Sequence, residues 1–249
     1  MKKILIAALA ALTALAAAVA VASAQDATPT PGATVKSTLS PSKTGTKTKP
    51  KPEKLTLNII NEDSSQTADG IKIWIAKQIK VNGKGLKYCS QSKLENGLSA
   101  SSCPTASKLG VGNAVAYAGV NTGSPAKFTF NLTAFMLSAK KIGFLIHHSA
   151  PDIDALSVGT IKSASGQFGS LLDISIPQVA REFPAGTFNG LASIQTALYK
   201  KIGSHSLYSS TGCNTSRSLP FKVQIHFQNN PNPPKAATVS ATGGANCHK

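Results

Sequence analysis

Four cysteines, Cys89, Cys103, Cys213 and Cys247, and the run His147-His148-x3-Asp152-x-Asp154 hold most of the residue types in this chain that could do chemistry by their spacing. Thiols can pair, ligate a metal or attack an electrophile. Pairing fits best: the count is even, and no Cys-x2-Cys or His-x3-His spacing prepares a metal site. Three pairings are open. The sequential one, Cys89 with Cys103 and Cys213 with Cys247, closes the shortest loops, each contributing on the order of 3–4 kcal/mol in the chain-entropy account. A catalytic thiol is disfavoured because every cysteine has a possible partner. The His/Asp run offers the nitrogen and oxygen ligands of a divalent-cation site. Alternation along a strand, however, sends His147 and His148 to opposite faces, and residues 149–154 (SAPDID) read as a polar turn, so no metal is expected there.

Other catalytic signatures are missing from the sequence. It has no Gly-x-Ser-x-Gly elbow, no Gly-x4-Gly-Lys-Ser/Thr loop and no His-Glu-x-x-His pair, and Gly110-Val-Gly112 lacks a third glycine. Asp152 and Asp154 share one turn, with nothing to separate their protonation as a glycosidase pair requires. Glu62, Asp63 and Asp69 read as a solvated acidic loop. No catalytic residue and no cofactor is expected. An extracellular hydrolase with an unrecognised site is the alternative.

Charge gives the clearest functional pointer. The 249 residues carry 26 Lys+Arg against 10 Asp+Glu, a formal charge of +16. Such an excess draws the molecule to anionic polymers in a salt-dependent way. Lys43, Lys47, Lys49 and Lys51 form a cationic arm with Lys36 and Lys54, in a stretch that also reads as a solvated linker. Lys72 and Lys80 flank a β-patterned run, and further lysines follow up to Lys93 and at Lys140, Lys141, Lys200 and Lys201. The expected contacts are Lys43, Lys47, Lys49, Lys51, Lys72 and Lys80, with an anionic cell-wall polymer or carbohydrate as partner. Nucleic acid is not expected, because Arg181 and Arg217 are the only arginines available for bidentate phosphate or base contacts. Trp74, opposite in parity to its neighbouring isoleucines, either packs in a second buried face or offers a carbohydrate or protein contact.

The same reading places the protein outside the cytosol. Lys2 and Lys3 precede an apolar run from Ile4 to Ala22, and Ala22-Ser23-Ala24 supplies a cleavage box, so residues 1–24 read as a signal peptide with Gln25 first in the mature chain. A retained anchor is the alternative. No later stretch is long and apolar enough to span a bilayer. A secreted or cell-envelope location permits disulfides.

These residues must be positioned by β-structure. Residues 25–53 (QDATPTPGATVKSTLSPSKTGTKTKPKPE) hold too little apolar surface to offset their ordering entropy and read as a linker, with Thr34 to Leu39 as a possible edge strand. Residues 54–249 form the expected domain. Leu55, Leu57 and Ile59; Ile71, Ile73 and Ile75; Phe128, Phe130 and Leu132; Ile142, Phe144 and Ile146; Leu172, Ile174 and Ile176; and Phe221, Val223, Ile225 and Phe227 each repeat at period two. Short helical turns fit Ser102 to Leu109 and Pro177 to Phe183, and residues 191–202 fit a strand better than a helix. The expected fold is all-β, an antiparallel β-sandwich of immunoglobulin-like or jelly-roll-like type.

Four segments, LSPSKTGTKTKPKPEKLTLNI (Leu39 to Ile59), CPTASKLGVGNA (Cys103 to Ala114), SLLDISIP (Ser170 to Pro177) and PFKVQIHF between Cys213 and Cys247, make the chain resemble an uncharacterised family of secreted bacterial all-β proteins with two disulfide loops. The resemblance implies export and an all-β body. Its cysteine pairs would bracket a loop before the Cys-Pro turn and the last hairpin. It implies no activity.

Overall fold

The computed structural model describes residues 32–150, 152–228 and 238–249. The expected signal peptide and the first residues of the expected linker lie outside them. Strands follow from β1 (Ala33–Ser40) through β2 (Lys51–Pro52), β3 (Lys54–Asn61), β4 (Ala68–Ala76), β5 (Ile79–Val81), β6 (Lys108–Ala118), β7 (Ala126–Ser138) and β8 (Lys141–Ser149). They continue with β9 (Asp152–Ser163), β10 (Phe168–Ser175), β11 (Asn189–Leu198), β12 (Lys201–Ile202), β13 (His205–Ser206), β14 (Tyr208–Ser210), β15 (Ser218–Phe227) and β16 (Thr238–Asn246). Two short helices, α1 (Gln91–Gly97) and α2 (Gln178–Arg181), interrupt them.

The period-two runs form strands because alternation gives each one apolar face to bury. In β15, Leu219, Phe221, Val223, Ile225 and Phe227 are buried while Lys222, Gln224 and His226 are not. The possible edge strand is β1, where Val35, Ser37 and Leu39 face inward. Residues 191–198 lie in a strand, with Ile194, Thr196 and Leu198 on one parity. Helical turns occur at Ala100–Ser102, Thr105–Ser107 and α2.

The arrangement of these strands differs from the expected sandwich. Eleven strands form one sheet in the order β1-β3-β11-β6-β7-β8-β9-β10-β4-β15-β16, each neighbouring pair antiparallel. This sheet curls until its first and last strands meet, giving a nearly closed barrel. An odd number of alternating strands must close on a parallel seam. Lys43 and His248 accordingly form a parallel bridge, with the Thr44 N–H donating to the His248 carbonyl at 2.9 Å and the His248 N–H to Ser42 O at 3.0 Å. Gly243 of β16 packs directly on the Val35 carbonyl of β1. Alternation looks the same whether the inward face meets a second sheet or the far wall of its own, so the pattern could not distinguish them.

The barrel has two unlike ends. Both disulfides lie at the end where β1 leaves and β3 begins. Cys89–Cys103 has a Cα separation of 5.3 Å and Cys213–Cys247 one of 5.6 Å, both ordinary for disulfides. The sheet β2-β14-β5 and the hairpin β12-β13 cover this stapled end. The Cys89–Cys103 loop also carries α1, whose Leu94 packs on Phe135, Leu137 and Leu145. That cover lies on the outside of β7 and β8, which is why residues 134–137 are buried on both faces. At the other end, the mouth, α2 bridges from β10 to β11.

Gly110 and Gly112 owe their identity to packing. A side chain on either would meet the carbonyl of Ala197 or Gln195 on β11 at about 2 Å. The glycine pair therefore serves a close strand approach.

Candidate functional site

Lysines gather at the stapled end. The segment between β1 and β3 carries Lys43, Lys47, Lys49 and Lys51, and the first three are exposed. Sheet β2-β14-β5 sets Pro52, next to Lys51, and Lys80 on either side of Ser209. Lys77, Lys84, Lys87, Lys140, Lys141 and Lys201 are exposed around the same end. None of these lysines forms an ion pair with a described carboxylate. The acids here are Glu95, exposed on α1, and Glu53, which is fully buried. Lys72 lies apart from this group. It projects from the outer wall of β4, in register with Asp173, whose carboxylate Lys162 binds at 2.7 Å.

Acids gather at the opposite end. Glu62, Asp63, Asp69, Asp152, Asp154 and Glu182 lie on or beside the loops of the mouth. The Gly186 N–H and the Gln178 side chain both donate to Glu182 and hold its carboxyl below the usual range. The molecule is therefore charge-segregated along the barrel axis, positive at the staples and negative at the mouth.

The His/Asp run assembles partly. His147 points outward and its Nδ1 lies 2.9 Å from Asp154 Oδ1. Asp152 completes a group whose ligand atoms fall within 4.8 Å of one another. His148 points inward, against the rings of Phe128 and Phe130 at 5.0 and 5.3 Å. The opposite facing of the two histidines follows the alternation of β8. A second pair, His226 with Asp69, joins β15 to β4 at the same end.

Trp74 lies on the outer wall of β4, with Lys222 Nζ 5.0 Å from its ring centroid. Among the described residues no second large sheet faces it, and Trp74 is half-buried.

The interior of the barrel is unevenly filled. Val35 and Leu39 of β1, the inward residues of β15, and Val239, Ala241 and Ala245 of β16 are buried on the seam side and do not line the cavity. The other side, walled by β3, β4 and β6 to β11, encloses a cavity. The cavity has a volume of about 100 Å³. Leu57, Ile73, Ala114, Ala116, Phe130 and Leu172 are among its lining residues; Ser157, Asn189, Thr196 and Tyr208 are its polar ones. Ala180 of α2 reaches it at the mouth and Tyr208 of β14 at the floor. Periodicity locates the inward residues, but whether they meet in the middle depends on strand number and tilt, which one sequence does not carry.

Comparison with protein families, curated proteins and solved structures finds no match to this chain.

Proposed function

We propose that this protein is a non-catalytic binding module of the cell exterior that attaches through its stapled end to an anionic envelope polymer. The observation that carries the reading is the segregation of charge. Lys43, Lys47, Lys49, Lys51 and Lys80 share one end of the barrel with further exposed lysines, while most carboxylates lie at the other. A field of this shape orients the molecule on approach to a polyanion, stapled end first. Lysine suits a polymer of repeated point charges, whereas planar bidentate recognition would call for arginine.

Export is part of the proposal. The two disulfides are compatible with an oxidising compartment, and no helix among the described residues is long and apolar enough to cross a membrane.

The test is retention of the purified protein on isolated cell envelope across a salt series. Screening shortens the reach of exposed charges to about 8 Å at physiological ionic strength and about 3 Å at 1 M. Retention at low salt should therefore vanish by a few hundred millimolar (about 300 mM) salt. Salt-insensitive retention, or none at low salt, would remove the reading.

A further inference from the structure

The barrel interior goes beyond attachment to a surface. We propose that its cavity is a binding site for an apolar small molecule carrying one uncharged hydrogen-bonding group, a hydroxyl or carbonyl, which meets the Tyr208 hydroxyl at the floor.

The first argument is the uneven packing. On the seam side of the same barrel Phe221, Phe227 and their neighbours are buried and none of them lines the cavity, so this sequence places large side chains in part of the interior. On the far side, alanines stand at inward positions of β6, Ala114 and Ala116, where longer aliphatic side chains would close the gap. Barrels that enclose such a space characteristically hold one small ligand.

The second argument is Tyr208 itself. It is 1% exposed and lines the cavity. Its backbone is well anchored: the carbonyl accepts from the Glu53 N–H at 3.0 Å and from Ser206 Oγ. Its phenolic oxygen, by contrast, has no hydrogen-bond partner among the described residues. Burial alone pushes the phenol well above its ordinary range, so the group stays neutral and able both to donate and to accept. Phenylalanine would line the same floor without stranding a polar atom. A hydroxyl at the wall of a cavity, with no protein partner, is costly to folding unless something inside the cavity meets it.

Of the other polar groups of the lining, Ser157 is engaged, Asn189 is half engaged at the mouth, and Thr196 lies on β11. Ser157 Oγ donates to the Ser175 carbonyl at 2.8 Å. Asn189 donates its amide to Ala180 O at 3.2 Å, which ties α2 across the mouth, and its own side-chain oxygen is buried without a partner there. No cationic side chain lines the cavity. A carboxylate ligand would therefore be buried without a counter-charge, so the polar group is a neutral one.

The test uses the disulfide-intact protein and the apolar fluorophore N-phenyl-1-naphthylamine, displaced in turn by 1-octanol, nonane and octanoate. The fluorophore should brighten on binding. Octanol should displace it at about fivefold or more lower concentration than nonane, the ratio expected of one hydrogen bond. Octanoate at neutral pH should be weaker than octanol. Tyr208→Phe should abolish the octanol advantage while leaving nonane unchanged, with a melting temperature no lower than that of the native protein. Ala116→Met, which shortens the cavity, should weaken every competitor. Equal displacement by octanol and nonane in the native protein, or an unaltered octanol advantage in Tyr208→Phe, overturns the assignment of the polar group. Absence of fluorophore binding, or binding that Ala116→Met leaves untouched, overturns the cavity as a ligand site.

Discussion

Gly243 on β16 lies so close to Val35 on β1 that a Cβ at Gly243 would stand 2.4 Å from the Val35 carbonyl oxygen. This contact sets how tightly the first and last strands of the sheet approach. Gly243→Ala should push the seam apart and cost about 1–3 kcal/mol, as overpacking elsewhere does. Urea unfolding of the variant against the native protein measures this; an unchanged midpoint would mean that the seam is looser than described.

The two disulfides make separable contributions. Replacing Cys89 and Cys103 together by alanine should cost about 3 kcal/mol, and replacing Cys213 and Cys247 about 4 kcal/mol, the order set by their loop lengths. Loss of the first pair should also loosen α1 and expose Phe135, Leu137 and Leu145, raising the fluorescence of a dye that reports apolar surface. Loss of the second should not. Intact mass with and without reductant should show no free thiol in the oxidised protein.

Glu53 gives the stability a pH dependence. Its side chain is fully buried; Ser210 Oγ donates to Oε1, and Oε2 has no partner among the described residues. Desolvation raises its pKa, against smaller opposing contributions from the Ser210 hydrogen bond and the Lys51 charge. The folded state therefore binds this proton more tightly than the unfolded state does. The stabilisation is full below the ordinary carboxylate range and is lost as pH rises through the raised value. Glu53→Gln should be more stable than the native protein at neutral pH, with the difference shrinking toward acid. Thermal melts from pH 4 to pH 8 would show it; a variant that is less stable at pH 8 contradicts the sign.

Under the proposed envelope attachment, position decides which lysines matter. Exchanging Lys43, Lys47, Lys49 and Lys51 together for glutamine should lower retention at low salt by about tenfold or more, since each surface charge near an anionic layer contributes roughly 1 kcal/mol at most. Lys72→Gln, on the wall beside Asp173, should change it by less than about twofold. Equal effects would spread the attachment over the whole surface.

The strands were legible because each needs one buried face and shows it at every second residue. Phe221 to Phe227 and Ile71 to Ile75 are the clearest cases. The cysteine pairing was legible as the shortest-loop choice. Helix α1 was not. It is one loop's worth of helix, started by the Ser90 side chain accepting from the Lys93 N–H and held by a single buried residue, Leu94, and so leaves no periodic trace. The cavity and Tyr208 were hidden for a different reason. Tyr208 belongs to a three-residue strand outside the main sheet, and only the folded path from β13 to β15 carries it beneath the barrel. Charge segregation was half visible. The lysines of residues 43–51 cluster in sequence, whereas Lys80, Lys140 and Lys201 join them only through the topology.

Because β1 must wait for β16, the body cannot be finished piecemeal as the polypeptide emerges. Residues 238–248 supply the final wall, and until they arrive both outermost strands offer bare edges to any neighbouring chain. Once the Lys43–His248 bridge forms and β16 lies against β1, each edge is shielded by the other without a backbone ladder between them, so exposure to neighbouring chains is greatest before completion.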